Sequence, residues 1–185
     1  MYTGLVPLLQ KHKLDARTYI QSFDWRTLIA IKARFPRMRT VALLDDTTIT
    51  DVDKASGVSG YPWLGGLDLA RDFAGDFVAA AASIGAVILS PVHGVPSSAT
   101  VNTPGYVSFV NRTIVERAHK LNMQVVPWTV DDESTIAKLL LADGVDSIIS
   151  NYPKRVMYVA RELGYTVGKE PTKRKEACLA KSVIA

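Results

Sequence analysis

The stretch 124–153 constrains the fold most strongly, because its pattern is typical of a strand, a helix and a second strand. The apolar, β-branched run Gln124–Val130 predicts a buried strand. Three acids, DDE, follow where a helix would begin, and Gly144 suits the end of that helix. A second apolar run, Val145–Ser150, predicts another buried strand. Two buried strands joined through one helix form a βαβ unit, which requires a parallel sheet.

The rest of the chain continues the same alternation of strand and helix. A helical pattern at 5–13 comes first, with no strand pattern before it, and each predicted strand is then followed by a helix, including one over 69–82 and one within 104–121. A chain of 185 residues is long enough for one domain but short of the roughly 250 residues of a typical (β/α)₈ barrel. We therefore expect one α/β domain over 1–168, a basic tail over 169–185, and five parallel strands in sequential order, at 19–23, 40–44, 86–91, 124–130 and 145–150.

Charge and hydropathy exclude several classes of protein. The tail 169–185 holds five bases and two acids, so it accounts for +3 of the net charge of +4 and leaves the body about neutral. This distribution argues against nucleic-acid binding, which favours a basic stripe interleaved with aromatic residues. No apolar run approaches the roughly 20 residues of a membrane span. The sequence shows no secretion signal, and localisation stays open between a secreted and a cytoplasmic parent protein. Asn111 begins a sequon that would permit glycosylation if the parent protein is secreted.

Two motifs resemble one family of enzymes. PWTVDD, followed by LLADGVDSIISNYP, resembles the carboxyl-terminal signature of the glycerophosphodiester phosphodiesterases, and IQSFD at 20–24 is similar to their mid-barrel strand. The resemblance runs from Gly4 to Tyr165, and we expect a fungal-type member matched over its carboxyl-terminal part only. Two positions depart from the family pattern: Asp131 stands where Asn is usual, and Ser150-Asn151 stand where Thr-Asp is usual.

The resemblance implies a phospholipase-C-like TIM (β/α)₈ barrel, of which this chain would hold the last five βα units, with the first three missing. It also implies hydrolysis of glycerophosphodiesters to glycerol 3-phosphate and an alcohol, assisted by Ca²⁺ or Mg²⁺ and by histidine acid–base catalysis. In the family, the catalytic histidines and metal ligands lie in those first three units, in motifs such as His-Arg-Gly, which are absent here. We therefore expect this chain alone to bind no cofactor and to be inactive or nearly so.

The remaining candidate residues belong to the substrate pocket, because TIM-barrel sites lie at the carboxyl ends of the strands. The resemblance places Trp128 at the barrel mouth, where it and Phe23 would form an aromatic wall against the glycerol or head group. Gln21 and Ser22 would donate hydrogen bonds to substrate or only satisfy the barrel interior. His93, in the turn after the third strand, is a pocket candidate with an equally open structural interpretation. We expect Trp128 to point inward and to be partly exposed.

Two alternatives remain at this stage. A non-catalytic α/β interaction or regulatory module would use the open sheet edges to pair with a partner half or a second copy. An open doubly wound sheet would bind a nucleotide at its switch point, but no Gly-rich phosphate loop follows any predicted strand.

Overall fold

The computed structural model describes residues 4–52 and 57–168. The predicted basic tail at 169–185 lies outside the described residues. In the described part, no helix has the length and apolar character needed to cross a bilayer. The strands are β1 (Tyr19–Ser22), β2 (Arg39–Leu44), β3 (Ile88–Pro91), β4 (Gly94–Val95), β5 (Val107–Ser108) and β6 (Gln124–Val125). The helices are α1 (Leu5–Lys11), α2 (Trp25–Arg34), α3 (Leu69–Phe73), α4 (Phe77–Ser83), α5 (Arg112–Lys120), α6 (Glu133–Ala137) and α7 (Pro153–Glu162).

Four strands form one parallel sheet in the sequential order β1-β2-β3-β6. Residues that pair across neighbouring strands lie on the same face of the sheet, so each row of paired residues shares one face. One row contains Ala42, Leu89 and Val125, all fully buried beneath the helices. The parallel, sequential arrangement predicted from the sequence is therefore confirmed for these four strands.

The fifth predicted strand, Val145–Ser150, is not a regular strand in the structure. This segment runs beside β6 and makes three backbone hydrogen bonds to it and to the residues that follow it, at 2.9–3.0 Å. The Asp146 carboxylate accepts the Val125 N–H at 2.7 Å and also contacts the His119 ring at 2.9 Å. Because a side chain occupies the N–H that a neighbouring strand would bind, the ladder is interrupted.

Two predicted helices are shorter than their apolar patterns. The single helix expected over 69–82 is split into α3 and α4 by Ala74 and Gly75, which both have positive φ. Asp76 then starts α4 afresh, because its carboxylate accepts the Ala79 N–H at 2.9 Å. The helix expected within 104–121 begins only at Arg112, where Asn111 caps it, and an antiparallel pair of β4 and β5 precedes it.

The main core lies between the sheet and the helices. Trp25 and Leu28 of α2 are fully buried there, as are Ile136 and Leu139 after β6. The Trp25 indole donates a hydrogen bond to the Leu43 carbonyl at 3.0 Å, which joins α2 to the end of β2. The opposite face of the sheet carries fewer covered side chains.

That opposite face is concave. Phe23 follows β1 and Trp128 follows β6, and three strand spacings, about 14 Å in a flat sheet, would separate them. Their ring centroids nevertheless lie 5.3 Å apart. The sheet must therefore curve so that the two outer strands approach each other, as strands do in a barrel.

Candidate substrate pocket at the carboxyl ends of the strands

Phe23 and Trp128 form an edge-to-face pair at the carboxyl end of the sheet, with an interplanar angle of 89°. The Trp128 indole donates to the Ser90 carbonyl at 2.9 Å, which fixes the ring orientation. Both rings are half-buried. Because the rings contact each other, a substrate would lie beside the pair, and not between two rings on opposite sides of the mouth. The pair thus makes one rigid apolar surface at the strand ends.

Gln21 and Ser22 lie on opposite faces of the sheet. Gln21 pairs with Val41 and is exposed on the concave face, which also carries Phe23 and Trp128. Ser22 pairs with Ala42, in the row that the helices cover. Of these two residues, the structure brings only Gln21 onto the side of the aromatic pair.

His93 is buried, with 3% of its surface exposed. Its Nε2 lies 3.2 Å from the Ser97 carbonyl oxygen and its Nδ1 lies 3.3 Å from the Tyr106 hydroxyl. Nε2–H can donate to the Ser97 carbonyl, and the Tyr106 hydroxyl, which has one proton, donates either to Nδ1 or to the His93 carbonyl. Burial lowers the pKa of His93, and the positive charge of Lys138 lowers it further, against the opposing effect of the Ser97 carbonyl. These contacts tie His93 to two other points of the 93–108 loop.

A separate cavity of about 420 Å³ opens beside His93, beyond the ends of β3 and β6. Neither Phe23 nor Trp128 lines it, so the predicted pocket residues do not all meet in one cavity. Its lining is mainly polar and includes His93, Ser97, Ser98, Thr100, Thr129, Asp131, Asp132, Thr135, Asn151 and Arg155.

The comparisons with known proteins agree with one another. The sequence profile described as "Glycerophosphoryl diester phosphodiesterase family" matches residues 1–155, most of the chain. The chain belongs to this family. The resemblance inferred from the two motifs is thus confirmed at the family level.

Several solved structures of glycerophosphodiester phosphodiesterases share the fold. The enzyme from Silicibacter pomeroyi DSS-3 matches with a TM-score of 0.67 and 21% identity, over 91% of this chain and 46% of that chain. The protein from Galdieria sulphuraria matches with a TM-score of 0.57 and 22% identity, over 86% and 50%. A phosphodiesterase from Oleispira antarctica, solved with the product sn-glycerol-3-phosphate, matches with a TM-score of 0.52 and 18% identity, over 84% and 47%.

This chain therefore spans about half the length of the solved phosphodiesterases that it matches. At these identities the likeness shows the fold, an α/β architecture with a parallel sheet. No curated protein sequence matches the chain.

The two departures from the family pattern contact each other. Asp131 Oδ1 accepts the Ser150 hydroxyl at 2.9 Å and the Asn151 backbone N–H at 2.8 Å, and Asp131 Oδ2 accepts the Asn151 side-chain amide at 2.8 Å. Burial would raise the pKa of Asp131, but the hydrogen bonds from Asn151 and Ser150 outweigh it and lower the pKa. Relative to the family pattern, the acid and the amide have exchanged places at these two positions.

The residues that the structure describes do not fit a metal centre. Within 4–52 and 57–168, no group of three or more His, Cys, Asp or Glu side chains converges as ligands. Asp45, the residue after β2, uses Oδ1 to accept two backbone N–H groups, from Thr47 and Thr48, each at 2.9 Å. Both carboxylate oxygens of Asp131 likewise accept hydrogen bonds.

Sequence reasoning missed two residues beside the strand ends. Tyr106 stacks on His93, with ring centroids 5.8 Å apart, and its hydroxyl donates to the His93 carbonyl at 3.1 Å. Arg155, at the start of α7, donates to the Asp131 carbonyl and lies over the Tyr152 ring at 4.6 Å. Tyr106 lies outside any periodic apolar segment and Arg155 is a polar position of the amphipathic helix α7, so the sequence carries no signal for either contact.

Proposed function

We propose that this chain forms the carboxyl-terminal half of a glycerophosphodiester phosphodiesterase barrel, the last five βα units, and supplies one wall of its substrate pocket. The complete enzyme hydrolyses a glycerophosphodiester: water adds its oxygen to phosphorus, the bond to the alcohol oxygen breaks, and glycerol 3-phosphate and the alcohol leave. The observation that carries this proposal is the Phe23–Trp128 pair on the concave face, at the carboxyl end of the strands.

The proposed roles of the pocket residues follow from their surfaces. The half-buried rings of Phe23 and Trp128 offer an apolar face against which the glycerol or head-group carbons pack and from which water is excluded. Gln21, exposed on the same face, donates a hydrogen bond to a substrate oxygen. Both ring nitrogens of His93 lie within hydrogen-bond distance of protein oxygens, so we propose that His93 helps to shape the mouth of the pocket and transfers no proton. Ser22 has no role in this pocket, since it lies in the helix-covered row.

The acid–base groups and the ligands of the divalent cation, Ca²⁺ or Mg²⁺, would come from the other half of the barrel. The described residues hold no cluster of metal ligands. β1 is an edge of the four-stranded sheet, and an unpaired edge favours addition of another strand. We propose that the other half-barrel pairs there.

Indole resonances in ¹⁵N-labelled chain test the pocket directly, because the chain has three tryptophans. Titration with sn-glycerol 3-phosphate should shift the Trp128 signal, since that ring lies at the strand ends. The buried Trp25 serves as an internal control and should not move. Glycerol 3-phosphate that leaves Trp128 unperturbed at millimolar concentration, while the fold is intact, would count against the proposed wall.

A further inference from the structure

A second cavity, of about 520 Å³, lies at the amino-terminal end of the sheet. The opposite end carries the Phe23–Trp128 pair, whose surface is called the strand-end pocket below. The second cavity is formed where β1 and β2 begin, between α1 and the end of α2. Three arginines line it, Arg34, Arg37 and Arg39, together with a single acid, Asp15. Their formal charges sum to about +2 at neutral pH, in a body whose overall charge is near zero.

The charges of these arginines are not paired with acids in the described part of the chain. In residues 4–52 and 57–168, none of the three guanidinium groups forms an ion pair with a carboxylate. Arg34 and Arg37 are exposed, and the Arg34 guanidinium carbon lies 5.7 Å from the Phe35 ring centroid. Uncompensated guanidinium groups around a concavity attract anions, and their planar fork binds phosphate oxygens in pairs.

One arginine is held in place before any ligand arrives. Arg39 donates to the Tyr19 hydroxyl at 2.8 Å and to the Ala16 carbonyl, and its guanidinium carbon lies 4.1 Å from the Tyr19 ring centroid. An ordered cation loses little further conformational freedom on binding, so more of its attraction appears as affinity. The wall beside it is apolar, since Val6 and Met38 are buried and Phe35 is half-buried.

We propose that this cavity binds a phosphate monoester that carries an apolar group. A monoester dianion balances the charge of +2, and the apolar group packs on the half-buried Phe35 ring. The cavity volume lies within the range usual for small-molecule sites. This site is separate from the strand-end pocket and does not depend on the proposed hydrolysis.

Calorimetric titration of the chain with phenyl phosphate tests the proposal. The variant Arg34→Ala/Arg37→Ala should bind at least about tenfold more weakly, because two charge-assisted contacts are lost. Both side chains are exposed, so the fold should persist, which circular dichroism can verify. The matched control Lys154→Ala/Arg161→Ala removes two exposed bases from α7 and should bind as the wild type does.

Two further arms sharpen the test. Asp15→Asn should strengthen binding about two- to fivefold, because it removes the one negative charge of the lining. Trp128→Ala should leave phenyl phosphate binding unchanged, which separates this site from the strand-end pocket. Phenyl phosphate should also bind more weakly below pH 6, where it becomes a monoanion, while phenyl sulfate should not change.

Three results would overturn the proposal. The first is equal weakening in the α7 control, which would indicate non-specific charge attraction. The second is loss of phenyl phosphate binding in Trp128→Ala, which would place the ligand in the other pocket. The third is binding only to vesicles of anionic phospholipid, with no competition by phenyl phosphate, which would indicate a lipid-surface contact and not a cavity.

Discussion

Exchanging the acid and the amide of the Asp131–Asn151 contact tests how the strand-end loops are held. Asp131→Asn alone leaves one acceptor oxygen where the carboxylate had two, so one of its three hydrogen bonds is lost unless the Asn151 amide turns over. Asn151→Asp alone places two carboxylates where acid and amide atoms now lie 2.8 Å apart. The double exchange restores one acid and one amide.

The magnitudes follow from these contacts. Losing the charge assistance of the Asp131 hydrogen bonds should cost about 1–2 kcal/mol. Two carboxylates at about 3 Å repel by roughly 1.5 kcal/mol at the dielectric constant of water and by more in the partly covered site, so Asn151→Asp should cost about 2–3 kcal/mol. The double variant regains the same pattern of three hydrogen bonds and should lie within about 1 kcal/mol of the wild type. The coupling free energy is then about 2–5 kcal/mol.

Urea unfolding of the four proteins at pH 7, followed by circular dichroism, measures this cycle. Ser150→Ala offers a comparison that changes no formal charge: it removes the hydroxyl's hydrogen bond to Asp131 and the one that the hydroxyl accepts from the Tyr152 N–H, and should cost about 1–2 kcal/mol. Free energies that simply add in the double variant would refute the reasoning, since they would show that the two side chains do not recognise each other.

Three further predictions concern single side chains. Burial lowers the pKa of His93 in the folded protein, so the unfolded chain binds that proton first as pH falls below about 6.5. Wild-type stability should therefore fall by up to about 1.4 kcal/mol per pH unit towards pH 5. Urea unfolding should show a flatter dependence of stability on pH for His93→Gln. Trp128→Ala should destabilise the protein by about 2 kcal/mol. Trp25→Ala should cost more, roughly 3–5 kcal/mol, because Trp25 is fully buried while its indole makes a similar hydrogen bond to a carbonyl. Equal costs would contradict the half-buried position of Trp128. Gly94→Ala should cost about 1–3 kcal/mol in the same assay, because the new Cβ would lie 2.2 Å from the Tyr106 ring, and an unchanged midpoint would argue against that packing.

The main sheet could be predicted from the sequence because strands buried on both faces read as continuous apolar runs. β2 and β3 have this character, and the parallel order follows from the intervening helices. Val145–Ser150 has the same apolar pattern, but Asp146 turns its carboxylate onto the Val125 N–H and interrupts the ladder. Apolar periodicity does not report where one polar side chain will bind.

The sequence indicates candidate residues for the site but not the contacts between them. The motif placed Phe23 and Trp128 at strand ends, whereas their direct contact depends on the curvature of the sheet. Side chains alternate along β1, so Gln21 and Ser22 lie on opposite faces of the sheet. The sequence alone did not show which of the two faces the pocket. The exchanged pair at Asp131 and Asn151 was visible as two simultaneous departures from one family pattern, yet only the fold brings them together.

Hydrolysis assays on the 185-residue chain test the central claim, that this half-barrel supplies a pocket wall while the reacting groups lie elsewhere in the complete enzyme. The substrate is sn-glycero-3-phosphocholine, with millimolar Ca²⁺ or Mg²⁺, and released glycerol 3-phosphate is measured against a protein-free blank. We predict release equal to the blank with either cation. Metal-dependent release well above the blank, lost on removal of the cation, would contradict the account.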